Sequence, residues 1–193
     1  KILTLILNAF LNQIFLMFCD VQMRILITGA SRGIGAAVAQ KFAEIYKKDA
    51  IICLMSRSMS MPSHKKTPGT LLETMKSIER FGGVAIPYKV DMQNSDTLYA
   101  SLDNAISCMG GLDILVNNAS VLSLTNSSKQ NDLMYNINTR GTMLTINKCK
   151  EHLEKSNGSI VTISPPIRLG RLSWISDHPA YTVSKYSMTM LTL

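Results

Sequence analysis

The stretch TGASRGIG, residues 28–35, constrains this chain more than any other. An apolar run (Ile25, Leu26, Ile27) leads into it, and an apolar-periodic segment (Ile34, Val38, Phe42, Ile45) follows. Strand, glycine turn, helix is the order that a nucleotide-phosphate site requires. Gly29 permits the tight turn out of the strand. Gly33 has no Cβ to hold a pyrophosphate off the backbone, and Gly35 lets the helix pack closely on the sheet. The helix N-terminus then offers unpaired N–H groups and a partial positive charge. The spacing is Gly-x-x-x-Gly-x-Gly rather than Gly-x-Gly-x-x-Gly. An ordinary strand-to-helix turn is the alternative.

A length of 193 residues is enough for one domain with a substantial core. The net charge of +7 raises the question of nucleic acid, but no basic stripe interleaved with aromatics is present. The densest cluster is His64, Lys65 and Lys66. The excess therefore reads as a mildly basic surface plus a site for an anionic cofactor. Cys19, Cys53, Cys108 and Cys149 are scattered, with no metal-ligand or redox spacing. They read as reduced thiols of an intracellular protein with no metal site.

Residues 1–22 form an apolar lead, and residues 2–18 carry no charge. That run is short for a membrane span and is interrupted by Thr4, Asn8, Asn12 and Gln13. A signal sequence, an anchor or a misplaced start are the readings open to it, and the folded domain is expected over 23–193. There strands and helices alternate, which predicts a doubly wound parallel α/β sheet. Strands are expected over the apolar run Ile25–Ile27 ending at Thr28, and at 50–55, 84–90, 112–116 and 159–163. Helices are expected to about residue 46, at 71–80, around Leu98 to Met109, over 129–153 and from Ala180. Pro87 places the third strand at an edge.

Tyr181 and Lys185 lie four residues apart in AYTVSK, on one face of a predicted helix. An ammonium beside a phenol favours the phenolate and lowers its pKa, which suits a general acid or base. An exposed helical pair is the plain alternative. With TGASRGIG, Asp91, NNAS at 117–120, Asn138 in NINTRG and YTVSK in this order, residues 24–193 resemble the short-chain dehydrogenase/reductase family.

The resemblance implies a Rossmann-type sheet, C-terminally truncated, whose fifth strand would be an exposed edge. It places Gly29, Ser31, Arg32, Gly33, Ile34 and Gly35 at the cofactor phosphates and Asp91 near the adenine. Asn117 and Ala119 fall near the adenine ribose; tying strand four to its neighbour is the other role open to Asn117. Tyr181 would transfer the proton, and Lys185 would hold the nicotinamide ribose and tune Tyr181. Asn138, unfavourable in a helix interior, would hold a water linking Lys185 to solvent. Asp113 and Arg140 read as supports of the fold. No acid occurs between Asp49 and Glu73 to bond a ribose 2′-hydroxyl, and Arg57 suits a 2′-phosphate, so NADP(H) is expected rather than NAD(H).

The family's serine is the point of departure. Counting back thirteen positions from Tyr181 reaches Arg168, and aligning on strand five replaces the serine by Pro165. Ser164 is then the nearest donor. It reads as catalytic, as a strand-end residue bonding its own backbone, or as a bystander to Ser173 or to no serine at all. The implied function is oxidoreduction of a small apolar alcohol or carbonyl, lipid- or steroid-like, in a peroxisomal or mitochondrial protein. A homo-oligomer formed through the long helix and the last helix is one arrangement open to it. A cofactor-binding module without turnover and a membrane-anchored interaction protein are the competitors.

Overall fold

The computed structural model describes residues 22–62, 67–123, 125, 127–164 and 176–193. Expectations for residues 2–18, the cluster His64, Lys65 and Lys66, and Pro165, Arg168 and Ser173 lie outside these. Five strands form one parallel sheet: β1 (Met23–Thr28), β2 (Ala50–Ser56), β3 (Val84–Lys89), β4 (Ile114–Asn117) and β5 (Ser159–Thr162). Their order is β3-β2-β1-β4-β5, every pairing parallel. The order reverses between β1 and β4, the switch point where a crevice opens at the carboxyl ends of the strands.

Six helices cover the sheet among the described residues: α1 (Gly33–Tyr46), α2 (Leu71–Arg80), α3 (Ser95–Met109), α4 (Ser128–Met134), α5 (Thr142–Ser156) and α6 (Pro179–Met190). β1 shows why strands buried on both faces are apolar throughout. Ile25 and Ile27 face a core with Ala39 and Ala43 of α1 and Ile78 of α2. Leu26 faces the opposite core with Leu98 and Leu102 of α3 and Cys149 and Leu153 of α5. Ile25, Leu26 and Ile27 are fully buried, each contributing about 1.5–3 kcal/mol. α2 starts on a capping box: Glu73 N donates to Thr70 Oγ1, and Thr70 N donates to Glu73 Oε2.

Three expectations are corrected. Ile34 and Ile45 are 58% and 59% exposed; Gly35, Ala39 and Ala43 form the buried stripe of α1 instead, because only small residues let the helix lie close to the sheet. The helix expected over 129–153 is interrupted by a π-helical turn, Tyr135–Gly141, a device that is frequent at functional sites. β4 starts two residues later than expected, at Ile114, where pairing with β1 begins. β3 is an edge strand, so Pro87 pairs on one side only. β5 is the other outer strand among the described residues, with Val161 47% exposed.

Candidate active site

A cleft of about 290 Å³ opens over the switch point. The turn after β1 lines it with Gly29, Ser31, Arg32 and Ile34, and the end of β2 with Ser56, Arg57 and Ser58. Asp91 follows β3, and Asn118, Ala119 and Ser120 follow β4. The turn is built by hydrogen bonds across the sheet. Gly29 N and Ala30 N both donate to Met55 O, at 2.7 and 3.2 Å. Gly29 has φ +69°, and a Cβ there would stand 2.8 Å from Ala119 Cα. The start of α2 braces the turn from behind, where Thr74 Oγ1 donates to Ala30 O at 2.9 Å.

The residues present fit an anionic dinucleotide. α1 begins at Gly33 with no side-chain cap from Arg32 and no acid in its first turn, so its leading N–H groups are open to an anion. A Cβ on Gly33 would meet nothing within 4 Å, so that side of the turn is clear for a phosphate. Arg32 Nη1 is buried without a hydrogen-bond partner among the described residues. Arg57, exposed at the end of β2, lines the same cleft. The Asp91 carboxylate accepts from Gln93 N at 3.0 Å, which fixes the loop after β3.

Gly33, Gly35 and Asn117 were also expected around the cofactor, and none of them lines the cleft. Gly35 is buried in the turn, where a Cβ would come within 2.5 Å of Gly29 O and Asn118 Nδ2. Asn117 is 1% exposed, and neither side-chain polar atom has a partner among the described residues. It joins β4 to β5 through its backbone, accepting from Ile163 N at 2.9 Å. The asparagine that faces the cleft is Asn118, one position later and so on the other side of the chain.

Tyr181, Lys185, Ser164 and Asn138 stand apart from the lining of this cleft, around the start of α6 and the end of β5. Tyr181 is half-buried, and burial raises its phenol above the ordinary value. Lys185 is buried, and desolvation pushes it down to about 8. Its ammonium donates to Ile163 O at 2.7 Å and lies 3.2 Å from Met188 Sδ. The expectation that Lys185 lowers Tyr181 is thus corrected for this arrangement: the ammonium is engaged by the end of β5, and burial of Tyr181 acts in the opposite direction. Ser164 Oγ lies 2.6 Å from Thr189 Oγ1, a side-chain partner on α6 rather than its own backbone.

Asn138, fully buried in the π turn, is committed to protein groups. Its Oδ1 accepts from Val121 N at 2.8 Å, and its Nδ2 donates to Val121 O and Ser184 Oγ at 3.0 and 2.9 Å. Both amide hydrogens are spent on these protein groups, and Oδ1 keeps one further acceptor site. Asp113 is paired in a bidentate manner with Arg24 and supports the fold; Arg140 Nη1 donates to Gln93 O at 3.3 Å. Among the described residues, no helix is long and apolar enough to cross a membrane, and no cluster of three or more His, Cys, Asp or Glu is placed to hold a metal ion.

Comparison with known proteins places this geometry in context. The chain is 43% identical over 174 residues to hydroxysteroid dehydrogenase-like protein 2 of Bos taurus, a match covering 88% of this chain and 40% of that protein. It therefore spans well under half the length of that relative. A crystal structure of a short chain dehydrogenase from Mycobacterium thermoresistibile matches with a TM-score of 0.77 and 36% identity, over 89% of this chain and 61% of the other. A metagenomic short-chain oxidoreductase in complex with NADP matches at 0.73 and 26%, over 89% and 74%. A short chain dehydrogenase from Mycobacterium paratuberculosis bound to NAD matches at 0.71 and 25%, over 90% and 66%. With the family profile matching throughout residues 23–193, the chain belongs to the short chain dehydrogenase family.

Proposed function

We propose that this chain is an oxidoreductase that interconverts an alcohol and a carbonyl on a small apolar, lipid- or steroid-like substrate, using NADP(H). The observation that carries the reading is the cleft over the switch point, with an uncapped helix N-terminus beside it and two arginines, Arg32 and Arg57, in its lining. In this reading Ser31 and the backbone at Gly33 hold the pyrophosphate, Asp91 meets the adenine, and Arg57 pairs with the 2′-phosphate. The bound cofactor supplies or accepts the hydride. Tyr181 Oη gives or takes the proton at the substrate oxygen, and Ser164 donates a hydrogen bond to that oxygen as charge develops. Lys185, released from Ile163, holds the nicotinamide ribose.

Family neighbours are bound to NADP in one case and to NAD in another, so the preference rests on Arg57. The test is the pair of dissociation constants for NADPH and NADH, in wild type and in Arg57→Asp. A charge-assisted bond of about 1.5–3 kcal/mol predicts roughly a 10- to 100-fold preference for NADPH in wild type, lost in the variant. Equal wild-type affinities overturn the NADP assignment. A second reading, an NADPH-binding module without turnover, is favoured by one observation: Lys185 donates to Ile163 O. Single-turnover hydride transfer at saturating NADPH separates the two.

A further inference from the structure

Tyr181, Lys185 and Thr189 follow one another at four-residue intervals along α6, on one stripe of its surface. The first two carry the proposed chemistry; Thr189 has no part in it so far. Its Oγ1 lies 2.6 Å from Ser164 Oγ. Two flanking contacts fix how α6 meets the end of β5: Thr162 Oγ1 lies 2.6 Å from Thr192 Oγ1, and Lys185 Nζ donates to Ile163 O at 2.7 Å. Residue 165, a proline, has no N–H to hold the serine side chain from behind.

Either hydroxyl can donate across this distance, and the two directions differ in what they leave free. The Thr189 hydroxyl has one hydrogen and two acceptors in reach, Ser164 Oγ at 2.6 Å and Lys185 O at 3.4 Å. The first is a good O–H···O length and the second is beyond the usual range. Given to Ser164, that hydrogen leaves the serine's own hydrogen uncommitted. Donation into the serine oxygen also polarises its O–H, which strengthens the bond it offers to a developing negative charge.

We propose that Thr189 is a positioning residue: its hydroxyl donates to Ser164 Oγ and turns the serine hydrogen toward the substrate oxygen. The inference rests on the oxidoreductase reading above. It also accounts for a serine one position away from the family's usual place, since a partner on α6 supplies the orientation that a regular strand end would not.

The test is steady-state reduction of decanal and of androstanedione with NADPH by the full chain, in wild type, Thr189→Val, Thr189→Ser, Ser164→Ala and the double variant Ser164→Ala/Thr189→Val. Valine keeps the shape and removes the hydroxyl. The expected result is a fall in kcat of about tenfold for Thr189→Val, smaller than loss of a whole oxyanion donor, with KM within about twofold. Thr189→Ser restores most of it, and Thr189→Val adds nothing once Ser164 is gone. Equal losses in both backgrounds, or no recovery with serine, overturn the inference. Thr189→Ala gives the same comparison if the valine variant does not melt cooperatively. A wild type that transfers no hydride to either carbonyl sinks the oxidoreductase reading and the inference with it; active wild type with undiminished Thr189→Val sinks the inference alone.

Discussion

Asn118 Nδ2 donates to the carbonyl oxygen of Gly29 at 3.1 Å, so a side chain from the loop after β4 holds the turn after β1. The same nitrogen reaches Thr28 O at 3.0 Å. Thr28 Oγ1 completes the latch by accepting from Asn118 N and Ala119 N at 3.1 and 3.0 Å. Removing the amide leaves two backbone carbonyls without that donor, at a cost of about 1–3 kcal/mol. Asn118→Ala should therefore lower the melting temperature and weaken NADPH binding together. A variant with unchanged melting and unchanged affinity would show that the latch does not hold the turn.

The glycines of the turn should separate by role. At Gly35 a Cβ would press on Gly29 O and Asn118 Nδ2, both at 2.5 Å, so Gly35→Ala must displace the turn and destabilise the fold. At Gly33 nothing lies within 4 Å, and only the positive φ of +56° resists a side chain. Gly33→Ala should then cost about 1–2 kcal/mol in stability, but more than tenfold in NADPH affinity, because in the proposed cofactor pose the new methyl group stands beside the cleft where the phosphate approaches the start of α1. Melting curves and cofactor titrations on both variants check the separation; similar profiles would refute it.

Asp113 gives a pH-dependent prediction. Its hydrogen bonds with Arg24 hold the carboxyl below its ordinary value of 3.8. A carboxyl depressed in the folded state contributes stability above its unfolded pKa, and loses it as pH falls through the folded value. Asp113→Asn should thus lower the melting temperature near neutrality, and the gap to wild type should close below about pH 4. A gap that stays constant from pH 7 to the acid limit would argue that packing, not charge, is what the pair supplies.

Much of this architecture was legible because it is local. The strand ending at Thr28, the turn and the helix to Tyr46, the ends of α2 at Leu71 and Arg80, and the edge position of β3 follow from apolar runs, glycines and Pro87. Around the site, the legible part is the turn itself. Which of Asn117 and Asn118 faces the cleft depends on where β4 ends, because neighbouring residues point to opposite faces. The π turn around Asn138 depends on its bonds to Val121 and Ser184, the latter 46 residues away in sequence. The partners of Lys185 and Ser164 depend on how α6 docks on β5. No periodicity in the chain encodes contacts of that kind.

Asn138 should matter to the fold before it matters to the reaction. It satisfies both backbone polar groups of Val121 and ties them to Ser184 on α6. Asn138→Ala leaves buried groups unpaired, at about 1–3 kcal/mol each. Asn138→Asp should be worse near neutrality, since it sets a carboxylate against Val121 O, and should recover as pH falls and the carboxyl is protonated. Denaturant unfolding at neutral and mildly acid pH checks this. If Asn138→Asp is as stable as wild type at neutral pH, the side chain is not committed as described.

Tyr181 and Lys185 make the most demanding prediction, because burial moves them in opposite directions. It raises the phenol and lowers the ammonium to about 8 from its ordinary 10.5. Between those two lysine values the unfolded chain binds the proton and the folded chain does not, so stability rises with pH over that window. Below 8 both states are protonated and the difference is flat. Lys185→Met lacks this term, so the wild type should gain stability on the variant from pH 8 to 10, measured by denaturant unfolding without cofactor. Under the proposed function the reaction follows the same protons. Alcohol oxidation needs the Tyr181 phenolate and should rise with pH through the alkaline range, whereas carbonyl reduction needs the phenol and should fall. Tyr181→Phe removes the proton donor and should cost about a thousandfold or more in either direction. A pH-independent oxidation rate in an enzyme limited by chemistry, or a Tyr181→Phe variant within tenfold of wild type, would move the acid–base role off Tyr181 altogether.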